Sequence, residues 1–276
     1  MDMMMPLGLE LDGLRSGVLT VRLALTPREI DAAQALRYAV FYEEMGARPD
    51  AVTRATSRDR DRFDDVATHL VVIDETAVDL PCGVIATYRL IDHEAASRAG
   101  GFYSAAEFDL APLLDSGNRL LELGRSCVHA RYRSGAVMQL LWRGIAEYIH
   151  VRGIDLMFGC ASLPGTDPDL LADQLAFLGH SHLAPDGLRP RALPGRFVEL
   201  RRKPADAFDA RQAFLGLPPL VKGYLRLGGW VGDGAVIDTQ FNTTDVAIVL
   251  RTGQVTNRYL RHYLRPRAEP ACSEAA

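Results

Sequence analysis

No surplus of basic charge marks this chain: 31 Lys and Arg stand against 35 Asp and Glu, a net charge of -4. Without a basic field nothing holds a phosphate backbone, so nucleic acid is excluded as a partner. No window approaches the ~20 apolar residues needed to cross a bilayer; the longest candidate, residues 137–151, carries Arg143, Glu147 and His150. The opening, MDMMMPLGLELDGLRSG, lacks both the basic leader and the apolar run of about 7–15 residues of a secretory signal, so a cytoplasmic protein is expected. Cysteine is sparse. Cys82, Cys127, Cys160 and Cys272 are far apart and form no CxxC pair, which argues against a zinc site or redox dithiol and for reduced, structural thiols. No metal is expected, and there is no internal repeat.

What is present is ordinary globular material, 48% hydrophobic and 24% charged, enough for a substantial core. Residues 18–25 alternate like a half-buried strand, and Thr26-Pro27 then caps a helix over residues 27–45. Residues 48–65 are rich in Arg and Asp and read as a long loop with one helical turn. Residues 69–74 and 82–91 suggest an antiparallel hairpin, residues 120–128 a further strand, 135–151 a helix stopped by Gly153, and 155–160 a buried strand. A polar helix near 167–178, an edge strand at 196–202 and a strand pair at 236–241 and 246–250 follow. This order describes an α/β (α+β) architecture, a mixed sheet with helices on both faces. The division expected is a flexible N-terminus over 1–17, a core over 18–203, a helix-and-strand extension over 204–264 packed on it, and a disordered tail over 265–276.

Alternation in Leu121-Glu122-Leu123-Gly124-Arg125 points Glu122 to one face of its strand and both leucines to the other. A buried carboxylate there, with an Arg close by, is either a general base or half of a structural ion pair. Arg37, Asp61, Asp64 and Arg89 also interrupt apolar surroundings, with solvated charge as the plain reading. Arg131-Tyr132-Arg133-Ser134-Gly135-Ala136 precedes a helix and offers either an anion site or an ordinary turn.

The ordered set Arg37 and Phe41, Asp61 and Asp64, Arg89, Phe108, Glu122 and Arg125 resembles the signature of acyl-homoserine lactone synthases, a branch of the GNAT acyltransferase superfamily. Over residues 18–250 the chain more closely resembles the bacterial ornithine N-acyltransferases and their hemolysin-like relatives, through RYAVFYEEMGA, ATYRL, FYSAAEFDL, ELGRSCVHARYRSGAVMQLLW, FGCASLPGTDP, PPLVKGYLRLGGWVG and DTQFNTTDV. The resemblance implies a GNAT fold. It also implies transfer of a 3-hydroxy fatty acyl group from acyl carrier protein to the α-amino group of L-ornithine, giving lyso-ornithine lipid. The usual pyrophosphate loop is degenerate here as RYRSGA, which suits the single phosphate of a carrier-borne 4'-phosphopantetheine better than coenzyme A; no tightly bound cofactor is implied.

On that resemblance Glu122 is the candidate base and Arg125 its orienting partner. Arg37 and Arg89 bind the acceptor carboxylate or order Asp61 and Asp64 by ion pairing. Asp61, Asp64, Asp238 and Asp245 are candidates for the acceptor's second ammonium, with Phe41 and Phe108 at the substrate. Backbone N–H groups near Cys127 and Val128 would hold the oxyanion, and Arg131, Arg133, Ser134, Gly135 and Ala136 the pantetheine phosphate. Cys127 carries no mark of an activated thiolate. Residues 137–142 and 102–108 are expected to line an acyl slot, or simply the core. Arg131, Arg133, Arg143 and Arg152 are a candidate rim for the acidic carrier, and the basic, aromatic run RYLRHYLRPR at 258–267 for the inner membrane surface. Two other readings stay open: an enzyme that acylates S-adenosylmethionine and lactonises it, and a silent acyl-carrier or lipid-binding module.

Overall fold

A computed structural model describes residues 13–253 of the chain. In order the elements are β1 (Leu14–Ser16), β2 (Leu19–Leu23), α1 (Pro27–Tyr38), α2 (Ala51–Thr56), β3 (Thr68–Asp74), β4 (Val84–Asp92), α3 (His93–Ala99), β5 (Phe108–Asp109), α4 (Ala111–Leu114), β6 (Leu120–Val128), α5 (Gly135–Arg152), β7 (Leu156–Pro164), α6 (Ala172–Ser181), β8 (Arg191–Ala192), α7 (Ala210–Gly216), α8 (Pro219–Arg226), β9 (Trp230–Asp238) and β10 (Thr243–Arg251). The strands join in one sheet of order β1-β2-β3-β4-β6-β7-β10-β9-β8-β5. Its pairs are antiparallel except β6–β7 and β8–β9.

Helix α1 starts at a capping box in which the Thr26 side chain accepts from the Glu29 N–H and Glu29 reaches back to Thr26. It runs on through a π-helical stretch, Ala39–Glu44, that carries Phe41. Helix α5 ends at Gly153, whose left-handed φ of 62° closes the last turn. Alternation along β3 sends Leu70 and Val72 into one cluster with Val137, Leu140, Leu141 and Ile145 of α5. The intervening Val71 and Ile73 meet Ala33 and Leu36 of α1. The two long helices therefore cover opposite faces of the same strands.

Three differences from the sequence pattern bear on the site. Residues 204–253 do not lie against a finished core, because β10 pairs with β7 along its whole length and β9 with β10, so the extension supplies interior strands. Leu14–Ser16, inside the stretch expected to be flexible, pairs with β2. Residues 196–202 form no ladder; only an isolated bridge, Val198 with Ala235, survives, since β8 and β5 already take that edge. The expected tail, Cys272 and the run at 258–267 lie outside the described residues. Among the described residues no helix is long and apolar enough to cross a membrane.

Candidate active site

Strands β6 and β7 pair only over Leu120–Glu122 with Leu156–Phe158. Beyond that point they part, and an apolar cavity opens there, lined by Leu123, Met157, Gly159, Tyr224, Ile248 and Leu250 among others. Gly159 sits at the fork: a Cβ on it would collide with the Leu123 carbonyl oxygen. The residues expected to form an acyl slot do not meet. Residues 137–142 pack in the α5-side cluster, while Phe102 and Phe108 belong to a separate cluster with Phe158 and Val249. Phe108 is therefore buried core beneath the opposite face, not a substrate contact.

A charged cluster forms between α1, the segment 59–64 and strands β4 and β6. Here Arg37, Asp61, Asp64, Arg89 and Arg125 come together, with a sixth member, Asp59, that the sequence pattern did not single out. Arg37 lies 2.7 Å from Asp59 and 2.7 Å from Asp64. Arg89 lies 2.6 Å from Asp61 and 3.3 Å from Asp64. Arg125 lies 3.0 Å from Asp59 and 3.2 Å from Asp61. Three arginines and three aspartates thus alternate in a closed ring in which every charge has two opposite neighbours. Burial pushes the Asp64 carboxyl up, but the guanidiniums of Arg37 and Arg89 outweigh it and hold the group well below the usual carboxylate range. His69, also buried, is kept neutral mainly by desolvation.

Arg125 reaches the ring through a bulge. The register between β4 and β6 shifts between Thr87 and Arg89, and Arg125 takes a left-handed φ of 50° there. Simple alternation would have aimed it to the face opposite Glu122. The strained residue, costing about 1–3 kcal/mol, instead lies with its guanidinium 4.7 Å from the centroid of the Tyr103 ring and 5.0 Å from that of Phe241. Phe41 meets Phe241 edge to face at 5.9 Å. Arg37 and Arg89 are sealed, whereas the Arg125 side chain keeps 12% of its surface.

Glu122 does not orient on Arg125. One of its oxygens accepts from the Tyr103 N–H at 2.7 Å, and the other from the Ser104 N–H at 2.7 Å and the Ser104 hydroxyl. It is 2% exposed, so it holds the 3-10 turn Tyr103–Ala106 and faces no open space. Burial pushes its pKa up, and the Ser104 and Tyr103 bonds offset part of that. This corrects the expectation of Glu122 as a base acting directly: its lone pairs are already engaged by donors that the turn supplies.

A second constellation lies two residues beyond the fork. The Cys160 thiol is 3.3 Å from the Ser104 hydroxyl and 3.2 Å from the Glu107 carboxylate. Glu107, Asp238 and Asp245 place carboxylate oxygens within 4.8 Å of one another. Arg196 stands 3.3 Å from Glu107. Burial and the Asp245 charge push Glu107 up to about 7, and burial pushes Asp245 up to about 6. Asp238 and Asp245 were expected in the site; Glu107 was not, since FYSAAEFDL reads as an apolar loop and its two carboxylate neighbours lie on strands more than a hundred residues downstream.

On the donor side, Cys127 is buried, and burial pushes its thiol up to about 12, so it is inert. Ser134 stands at the N-cap of α5 without a side-chain cap bond, and Ser134, Gly135 and Ala136 are exposed. Arg131 pairs with Asp79 at 2.5 Å, Arg133 pairs with Glu44, and the Arg133 Nε donates to the Val128 carbonyl at 3.1 Å. Both arginines are thus already partnered, in exposed pairs worth about 0–1 kcal/mol that another anion can displace.

The chain is similar in sequence to known proteins. Residues 36–143 match the family model described as Acetyltransferase (GNAT) domain. An L-ornithine N(alpha)-acyltransferase of Brucella abortus is 48% identical over 253 residues, 90% of this chain and 90% of that one. The chain belongs to the L-ornithine N(alpha)-acyltransferase family. A member from Rhodobacter capsulatus is 46% identical over 246 residues, 89% of this chain and 94% of that one. The chain is accordingly an N-acyltransferase of GNAT fold.

Proposed function

We propose that this chain moves a 3-hydroxy fatty acyl group from the phosphopantetheine thioester of an acyl carrier protein to the α-amino group of L-ornithine, the first step towards ornithine lipids. The observation that carries this reading is the similarity over nine-tenths of the chain to proteins named for that acceptor. The geometry supports it. The gap past Phe158 leaves the β7-facing edge of β6 unpaired up to Cys127 and Val128, where backbone N–H groups can meet an oxyanion. The uncapped start of α5 suits one phosphate.

The carboxylate of the amino acid goes to Arg125, the one ring arginine with open surface; Arg37 and Arg89 order Asp61 and Asp64 instead. Arg131 and Arg133 face the acidic carrier by exchanging their present partners, while Arg152 stacks over Tyr148 at 5.8 Å. A one-chain lipid product requires the enzyme to visit the membrane surface, so we assign it a peripheral, cytoplasmic-side location.

The test is thiol release from 3-hydroxyacyl carrier protein with L-ornithine, L-lysine or S-adenosylmethionine. Release with ornithine is expected. Release only with S-adenosylmethionine would make it a lactone-forming enzyme, and release with none would leave a binding module.

A further inference from the structure

The proton that leaves the acceptor nitrogen still needs a destination, because Glu122 is occupied. We propose that Glu107, Asp238 and Asp245 seat the reacting ammonium of the acceptor, and that Glu107 takes its proton. This rests on the acyl-transfer reading above and names the base for it.

Three observations converge. Position is the first. Glu107 touches Cys160, two residues past the last β6–β7 pair, so a nitrogen held by the trio lies beside the fork where the thioester carbonyl must stand. Fit is the second. Three acceptors around a tetrahedral –NH3+ at about 2.9 Å lie about 4.7 Å apart, and the carboxylate oxygens here lie within 4.8 Å. An orphan is the third. Asp245 is 6% exposed, and its Oδ1 makes no hydrogen bond of normal geometry among the described residues, the Ser162 and Thr243 hydroxyls being the donors beside the carboxylate, which faces the other two. A buried acceptor left unpaired costs about 1–3 kcal/mol, a cost that an arriving donor removes.

Asp238 is the half-buried member and so the rim, where its Oδ1 also accepts from the Gln240 and Phe241 N–H groups. Arg196 beside Glu107 favours a singly charged guest over a divalent ion. The groups facing Glu107 are Cys160 from β7, Asp245 from β10, Asp238 from β9, Arg196, and Tyr103 from the turn that Glu122 holds. Their sum leaves Glu107 near 7, where a base is most effective at neutral pH.

The step balances. One N–H bond of the ammonium breaks and its proton goes to the Glu107 carboxylate. The freed lone pair forms the N–C bond to the thioester carbonyl; the C–S bond breaks with its electrons on sulfur, and the thiolate takes a second proton from the nitrogen. Glu107 then returns its proton to water.

The test is a pH–rate profile of thiol release with L-ornithine and with L-norvaline, which keeps the α-amine and lacks the side-chain ammonium. In the unsubstituted protein, kcat/KM should rise with pH through an ionisation near 7. Glu107→Gln should lower kcat about a hundredfold or more on both amines and abolish that limb, with the circular dichroism spectrum retained. Asp238→Asn, at the rim, should raise KM about tenfold on both amines with kcat nearly kept. Near-normal turnover in Glu107→Gln overturns the assignment. Loss with ornithine but not norvaline also overturns it, by moving the trio to the side-chain ammonium. Activity lost to a chelator and restored by a divalent ion would place a metal there instead. If the unsubstituted protein releases thiol with no amine, the acyl-transfer reading itself has failed.

Discussion

Opening the arginine–aspartate ring is the sharpest perturbation of stability that the structure offers. In Arg37→Met the apolar volume is kept, but Asp59 and Asp64, whose side chains are 4% and 1% exposed, each lose a partner at 2.7 Å. Breaking a buried pair from one side costs about 3–5 kcal/mol because a charge is left uncompensated. For a protein of this size each kcal/mol corresponds to about 2–4 °C, so Tm should fall by about 6–20 °C. Arg37→Lys should rescue little, since one ammonium cannot span both carboxylates. Arg58→Ala, which removes a surface pair with Asp31, is the control and should cost under about 1 kcal/mol. Urea unfolding followed by circular dichroism measures all three. A loss under about 1 kcal/mol in Arg37→Met, equal to the control, would refute the ring as a structural unit.

Gly159→Ala should force β7 from the Leu123 carbonyl and destabilise by about 1–3 kcal/mol, read in the same unfolding assay, with thiol release lost beyond what unfolding explains. Thr26→Ala removes half the capping box and should cost about 1 kcal/mol with turnover unchanged. Glu107 has a folded pKa raised to about 7, so the native state holds its proton more tightly than the unfolded chain, and stability is lost as pH rises from the ordinary carboxylate range through 7. Glu107→Gln should therefore raise Tm at pH 8 and leave it nearly unchanged at pH 4; equal Tm at both values would contradict the raised pKa. Flotation with anionic liposomes at low salt should carry the protein upward, and its absence there would remove the peripheral assignment.

The elements whose burial is one-sided were legible. The strand over 120–128 and the helix from Gly135 appear within a residue of where their periods placed them, and the alternation that sent Glu122 to the face opposite Leu121 and Leu123 was correct. Arg125 shows where that logic stops: one bulge moved it to the same face as Glu122, and bulges leave no mark in a period-two pattern. Asp59 and Glu107 were invisible for a related reason. Each is defined by partners distant in sequence, Arg37 and Arg125 for the first, Asp238 and Asp245 for the second, and local pattern carries no information on which charges a sheet brings together. Phe108 and the segments at 102–108 and 137–142 looked like one apolar lining because apolarity does not reveal which face of a sheet it covers. The resemblance supplied what pattern could not, the reaction class.

The account stands most directly on the position of the new bond. After incubation with 3-hydroxyacyl carrier protein and L-ornithine, fragmentation mass spectrometry of the product should find a single 3-hydroxyacyl chain on the α-nitrogen with the side-chain amine free. An acyl group on the side-chain nitrogen, or no acylated ornithine at all, would contradict it.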